Sequence, residues 1–167
     1  FYKGVHRRFI SLSANGASSI LHDFVAFFSV FFWSTHIVVL GVSGGIFFPF
    51  FRILCTIFGK RLVVNIDGVE WRRAKFSRFK RGLLWLFDSL AQISANDIVY
   101  DNKHLYRFVK SFCRRKATMI SYSGDHVIRT AGIDRIPSTG LTVCRIEPEN
   151  NIEMIIKGVL LTPDFRH

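Results

Sequence analysis

Cysteine is scarce in this chain: three in 167 residues, at Cys55, Cys113 and Cys144. Their odd number and wide spacing supply neither a disulfide framework nor a metal-ligand motif, so a reducing cytoplasm is the simplest compartment. His6, His22, His36, His104 and His167 are scattered singles, and no metal site is expected from them. Carboxylates are also few, 12 against 23 lysines and arginines, for a net charge of +11. That balance favours anionic partners, whether phosphorylated sugars, anionic lipid headgroups or nucleic acid. Internal repeats and low-complexity segments are absent. The first residue is Phe1 rather than Met, with no charged n-region and cleavage site behind it. This reads as a chain whose natural start is missing rather than as a signal peptide.

Charge vanishes altogether between residues 24 and 51, where no Asp, Glu, Lys or Arg occurs. The stretch is long enough to span a bilayer. His36, the Gly41-Val42-Ser43-Gly44-Gly45 turn and Pro49 divide it into pieces each too short to span alone. A buried α/β reading is therefore preferred, with an integral membrane protein as the alternative. What the chain has in abundance is apolar side chains, 49% hydrophobic with 18 Phe, enough for one ordinary domain with a real core.

Residues 17–33 read as a helix, 37–40 as a short β-branched strand, 41–45 as a loop, and 46–58 as a helix closed by Gly59. A strand is expected over 61–66. From Phe76, the apolar positions Phe76, Phe79, Leu83, Leu86, Phe87 and Leu90 recur at helical spacing, up to about Ser94. A strand over 97–100, a helix capped by Asp101-Asn102 and running to about Phe112, and a strand over 117–121 follow. Strands alternating with helices imply parallel βαβ units in a doubly wound sheet, with right-handed crossovers and helices on both faces. The segment 129–140, with Gly132, Pro137 and Gly140, suits a linker. A strand over 141–144 and a helix from about Glu149, with Pro148 at its start, would open a second Rossmann-like domain. The domain division expected is 1–128 and 129–167.

One segment carries most of the chemistry. The apolar run Val63-Val64 stops at Asn65-Ile66-Asp67-Gly68, and Val69-Glu70-Trp71-Arg72-Arg73-Ala74-Lys75 follows. A buried strand ending this way delivers polar side chains to the carboxyl edge of a sheet, where open α/β sheets bind ligands. Gly68 would permit a sharp turn between Asp67 and Glu70. Either carboxylate can orient sugar hydroxyls or accept a proton from an acceptor hydroxyl, and Trp71 can stack on a sugar face. On residue types alone, a capped strand-to-helix turn with Asp67 bonding backbone amides is the better reading of the segment. Arg72, Arg73, Lys75, Arg78, Lys80 and Arg81 gather near a helix start, where cations oppose the helix dipole. They are a solvated face or a landing patch for anionic lipid; no recognised nucleic-acid module surrounds them. The Gly41–Gly45 loop, with Ser43 and Gly44, follows a strand and precedes a helix, as anion-cradling loops do, but lacks the dinucleotide fingerprint.

The wording of these segments resembles a known family. Residues 65–75 resemble the NIDGxEWRRxKW signature of rhamnosyltransferase-like glycosyltransferases, retaining GT4 enzymes of the GT-B fold whose N-terminal part carries the label DUF1972. Phe76 stands where that family has Trp. Ile98-Val99-Tyr100-Asp101-Asn102-Lys103 resembles its IIADNxxI, and Tyr122-Ser123-Gly124-Asp125-His126-Val127 its YGGDHV, with Ser123 replacing a glycine. Arg145-Ile146-Glu147-Pro148-Glu149-Asn150-Asn151 resembles its RIEPENN.

The resemblance implies a fragment of a GT-B enzyme: a truncated N-terminal, acceptor-side Rossmann-like domain and the first strand and helix of the donor-side domain. Asp67 and Glu70 would be catalytic, and Arg145 and Asn150 would bind the donor diphosphate. Ser43, Gly44, Gly68, Trp71, Arg72, Arg73, Asp101, Asn102, Gly124 and Asp125 would line the acceptor cleft. The implied donor is a nucleotide-sugar such as dTDP-L-rhamnose, with no metal and no cofactor. The acceptor would be a lipid-linked saccharide or growing surface polysaccharide. The place would be the cytoplasm, peripheral at the inner face of a bacterial plasma membrane, with contact to anionic lipid and none to nucleic acid. With the remainder of the GT-B fold missing, Phe1–His167 alone is expected to be inactive or nearly so. A non-catalytic membrane-associated remnant, or a subunit of a split glycosyltransferase, is the alternative.

Overall fold

The computed structural model describes residues 4–14, 16, 18–66, 68–122, 142–144, 146 and 150–162. It divides into two compact units, Phe1–Ser123 and Gly124–His167. The first contains α1 (Ser18–Phe31), β1 (His36–Leu40), α2 (Phe48–Ile57), β2 (Arg61–Ile66), α3 (Arg78–Ser94), β3 (Asp97–Tyr100) and β4 (Ala117–Met119). The second contributes α4 (Ile152–Leu160).

The sheet is wholly parallel, in the order β1-β2-β3-β4. Ile37 faces Leu62, Val64 faces Ile98 and Tyr100 faces Met119 across the ladders. This is a Rossmann-like α/β arrangement, as the alternation of strands and helices implies. It is not doubly wound over the described residues, which corrects the expectation of helices on both faces. Each strand is laid beside its predecessor in the same direction, so right-handed crossovers must all fall on one side. Covering both faces requires the order to reverse, and here it does not.

The core accordingly lies on one face. Ile37, Leu62, Val64, Ile66 and Ile98 from the sheet meet Phe27 and Phe31 of α1, Phe48, Phe51 and Cys55 of α2, and Ala91 of α3. Phe27 stacks on Phe51 with centroids 3.8 Å apart, at the centre of a phenylalanine cluster that explains the aromatic richness of residues 24–51. On the opposite face, Val38 and Leu40 are exposed. The charge-free stretch is thus α1, β1, a loop and α2. No helix among the described residues is long and apolar enough to cross a membrane.

Local chemistry sets the boundaries. α2 ends in a Schellman motif: Gly59 takes φ +64, Lys60 N–H donates to the Cys55 carbonyl and Gly59 N–H to that of Thr56. Ser77 caps α3 by accepting from Lys80 N–H. The helix expected after Asp101-Asn102 is instead two 3-10 turns, Lys103–Phe108 and Ser111–Lys116. Between them Val109 and Lys110 are extended, because buried Gln92 of α3 accepts from Lys110 N–H at 2.8 Å and donates to the Phe108 carbonyl at 3.2 Å. A tertiary contact has broken a helix that the local pattern allowed.

The helix expected from the apolar spacing after Phe76 is present as α3, but that stripe is only partly the face it buries. Its buried residues are Phe87, Asp88, Ser89, Ala91, Gln92 and Ser94, while Phe79 is 83% exposed and Leu86 44%. In the second unit, Thr142–Cys144 form no strand, which corrects the strand expected over 141–144. Asn151 precedes α4 in the left-handed region, at φ 51. Leu141, the linker 129–140, Pro148 and Glu149 lie outside the described residues.

Candidate functional site

Because the four strands are parallel, their carboxyl ends share one edge, and most of the expected site residues follow directly from it. Ser43 and Gly44 follow β1, Gly68 to Arg73 follow β2, and Asp101 and Asn102 follow β3. Asp67, Gly124, Asp125 and Arg145 lie outside the described residues. Asn150 is described in the second unit, where it is exposed.

The Gly41–Gly45 loop is tied down on two sides. Ser43 Oγ donates to Asp23 Oδ2 of α1 at 2.5 Å, and the other oxygen of Asp23 meets His22 Nδ1 at 3.3 Å. A Cβ on Gly44 would sit 2.9 Å from Asp23 Cβ, and one on Gly45 would sit 2.4 Å from Phe87 Cα. Gly41 takes φ +93, and its N–H donates to the Asn65 carbonyl. The glycines therefore serve backbone geometry and close packing against α1 and α3.

Gly68 behaves otherwise. Its φ is not positive, and an added Cβ meets nothing within 4 Å. Gly68 is therefore not held in a conformation that requires glycine, and the chain enters a 3-10 turn at Glu70–Arg72. Glu70 forms an ion pair with Arg73 at 2.9 Å, both half-exposed.

Trp71 pegs this turn to the helical layer. Its ring meets Phe108 edge-on at 5.9 Å, and its carbonyl accepts from Arg81 Nε at 2.9 Å. The indole Nε1 is buried and makes no hydrogen bond of normal geometry, yet it lies close enough to the Asp88 carboxylate to favour the ionised form. Arg72 lies over the Phe108 ring at 5.4 Å. The basic cluster is thereby divided: Arg72, Arg73 and Arg81 brace the loop, while Arg78 and Lys80 stand exposed on α3.

Asp88 and Gln92 were not singled out by residue type, and they are the polar centre of the region. Asp88 is 5% exposed and accepts from Gln92 Nε2 with both oxygens, at 3.0 and 3.1 Å. Burial pushes its pKa up, against the pull of Gln92, Trp71 and Lys110. The available signal was their i, i+4 spacing within a helix whose obvious apolar stripe lies elsewhere. Asn102 accepts from His104 and Leu105 N–H as a cap and donates to Asp101 Oδ1 at 2.8 Å. The Asn65 side-chain oxygen is out of water without a partner at the end of β2.

An open pocket of about 780 Å³ lies beside β1, walled by His6 and Arg8, by His22, Asp23 and Trp33, and by Leu40. It touches Ser43's partner Asp23 but not Glu70, Trp71, Asp101 or Asn102, so this mainly apolar pocket is separate from the polar residues that follow β2 and β3. Burial also raises the pKa of the Cys55 and Cys113 thiols, which makes them poor nucleophiles. Among the described residues no three His, Cys, Asp or Glu side chains gather into a metal-binding group. The edge can orient hydroxyls through Glu70 and Asp101, and it can hold an anion through Arg72 and Arg73.

No curated protein and no solved structure matches the chain. A family profile described as a domain of unknown function, DUF1972, matches residues 33–125, which carry all four strands and every described residue of the carboxyl edge. Asn150 lies beyond that match. Over more than half of its length, this chain belongs to the DUF1972 family.

Proposed function

We propose that this chain is part of a retaining glycosyltransferase that moves a sugar, rhamnose by resemblance, from a nucleotide-activated donor to a lipid-linked saccharide or growing surface polysaccharide. The observation that carries the reading is the meeting of two signature-like segments, 65–75 and 98–103, at one edge of a parallel sheet. There Glu70 and Asp101 present half-exposed carboxylates, suited to aligning an acceptor hydroxyl and taking its proton. Arg145 and Asn150 would hold the donor diphosphate, whose negative charge grows as the bond to the sugar breaks. The described unit Phe1–Ser123 is the acceptor side in this reading, acting at the cytoplasmic face of a bacterial plasma membrane.

Saturation-transfer NMR on the purified chain tests it, with dTDP-L-rhamnose, other nucleotide-sugars and a lipid-linked saccharide as ligands. Saccharide contacts that weaken in Glu70→Gln and Asp101→Asn support the assignment. Absence of binding by every sugar ligand, or binding indifferent to both substitutions, would overturn it.

A further inference from the structure

The helices cover the sheet with one side and leave a second, unusual side in the open. α2 and α3 pack against each other on the sheet face. The inward side of α2 carries Phe48, Phe51 and Cys55, and that of α3 carries Phe87, Asp88, Ala91 and Gln92. Their outward sides are apolar as well. Phe50, Ile53 and Ile57 are exposed on α2, at i, i+3 and i+7, so they share one stripe. Phe79, Leu86 and Ile93 do the same on α3, at i, i+7 and i+14. A soluble helix normally turns its apolar stripe to the core and its polar residues to water. In α3 apolar residues lie on both sides, and the polar Asp88 and Gln92 are inside while Phe79 is outside.

The charge pattern says what such a face fits. α1, α2 and α3 contain two carboxylates between them, Asp23 and Asp88. Asp23 accepts from Ser43 and Asp88 is buried, so no carboxylate stands on the outer side. Cations do: Arg78 and Lys80 flank Phe79, and Lys80 lies 4.1 Å from the Phe76 ring centroid. A protein partner can bury an apolar face of any charge pattern. A surface that joins apolar side chains to cations and excludes anions complements anionic lipid in particular, with the apolar groups entering the acyl boundary and the cations meeting phosphates. Since no described helix is long and apolar enough to cross a membrane, the element lies in the interface rather than spanning.

We infer that the outer face of α2 and α3 is a docking surface for an anionic bilayer, with Ile53, Ile57, Phe79, Leu86 and Ile93 inserting and Arg78 and Lys80 contacting headgroup phosphates. The assignment does not depend on sugar transfer, because lipid binding is read with no donor or acceptor present.

The test is co-sedimentation of the purified chain with vesicles of phosphatidylglycerol and phosphatidylcholine, and with phosphatidylcholine alone, at low and high salt. Wild type is expected on the anionic vesicles, with salt weakening the binding. Neutralising Arg78 or Lys80 to Gln should each weaken it roughly fivefold. Ile53→Glu/Leu86→Glu/Ile93→Glu should abolish it while circular dichroism stays native, since all three sites are exposed. Leu86→Trp adds a reporter whose fluorescence increases its quenching by brominated lipid if the face inserts. The inference fails if wild type ignores both vesicle types, or if the triple glutamate variant still binds as wild type does. It fails equally if wild type is a dimer that the triple variant dissociates with vesicle binding intact, which assigns the face to a second copy of the chain.

Discussion

Gly45→Ala should be among the most damaging single-methyl additions this chain can suffer. Gly45 opens the 3-10 turn Gly45–Phe47, and a Cβ there would lie 2.4 Å from both the Cα and the carbonyl oxygen of Phe87, and 2.5 Å from its Cβ. Ordinary contact begins at 3.4 Å, so turn and helix would have to part by roughly 1 Å, with no rotamer change able to relieve a clash against backbone. Parting them loosens α3 along the turn and thins packing beneath Phe48 and Ala91, both fully buried. Overpacking of this kind falls at the upper end of its usual range, about 3 kcal/mol. For a unit of this size that is a fall in Tm of about 12 °C.

Gly68→Ala is the matched control. Its Cβ meets nothing and its φ is not positive, so the change should be neutral or stabilise by about 0.5 kcal/mol through the unfolded chain. Urea denaturation of both variants, compared at equal m-value, measures the contrast. A Gly45→Ala loss below about 0.5 kcal/mol, or a Gly68→Ala loss as large as that of Gly45→Ala, would refute the packing argument.

Other outcomes follow from the buried polar centre and the thiols. Gln92→Ala strands the Asp88 carboxylate, the Phe108 carbonyl and the Lys110 N–H together, and should destabilise by about 4 kcal/mol, read from the urea midpoint. Burial raises the folded pKa of Asp88, so its contribution to stability is full below the unfolded value and is lost as pH rises through the raised one. Wild type should therefore lose stability relative to Asp88→Asn as pH climbs from the ordinary carboxylate pKa, about 4, through the raised one; a flat difference, or one of opposite slope, removes the argument. Thiol titration with an aromatic disulfide should label Cys144 quickly in the native chain and reach Cys55 and Cys113 only in denaturant, since these two are buried and Cys144 is exposed.

Much of this fold is determined by local sequence. The β-branched runs before Leu40 and Ile66, the glycine that closes α2 and the serine that caps α3 place their elements within a few residues of where they stand. These signals act within one or two turns of chain, and no distant partner is needed to read them. The edge bearing Ser43, Glu70, Asp101 and Asn102 follows in turn, because alternating strands and helices force parallel strands whose carboxyl ends coincide.

Three features were decided only in three dimensions. The single winding direction depends on which neighbour each strand chooses, a pairing between residues far apart in the chain. The break at Val109-Lys110 depends on Gln92, whose amide captures both sides of the bend from another element. The way α3 faces depends on the close approach of Gly45 to Phe87, which puts Phe87 and Ala91 inside together with Asp88 and Gln92 and leaves Phe79, Leu86 and Ile93 outside. Hydrophobic periodicity shows that a helix has two sides. Which side meets the core is set by the shape of what it packs against, and that is known only once the chain has folded.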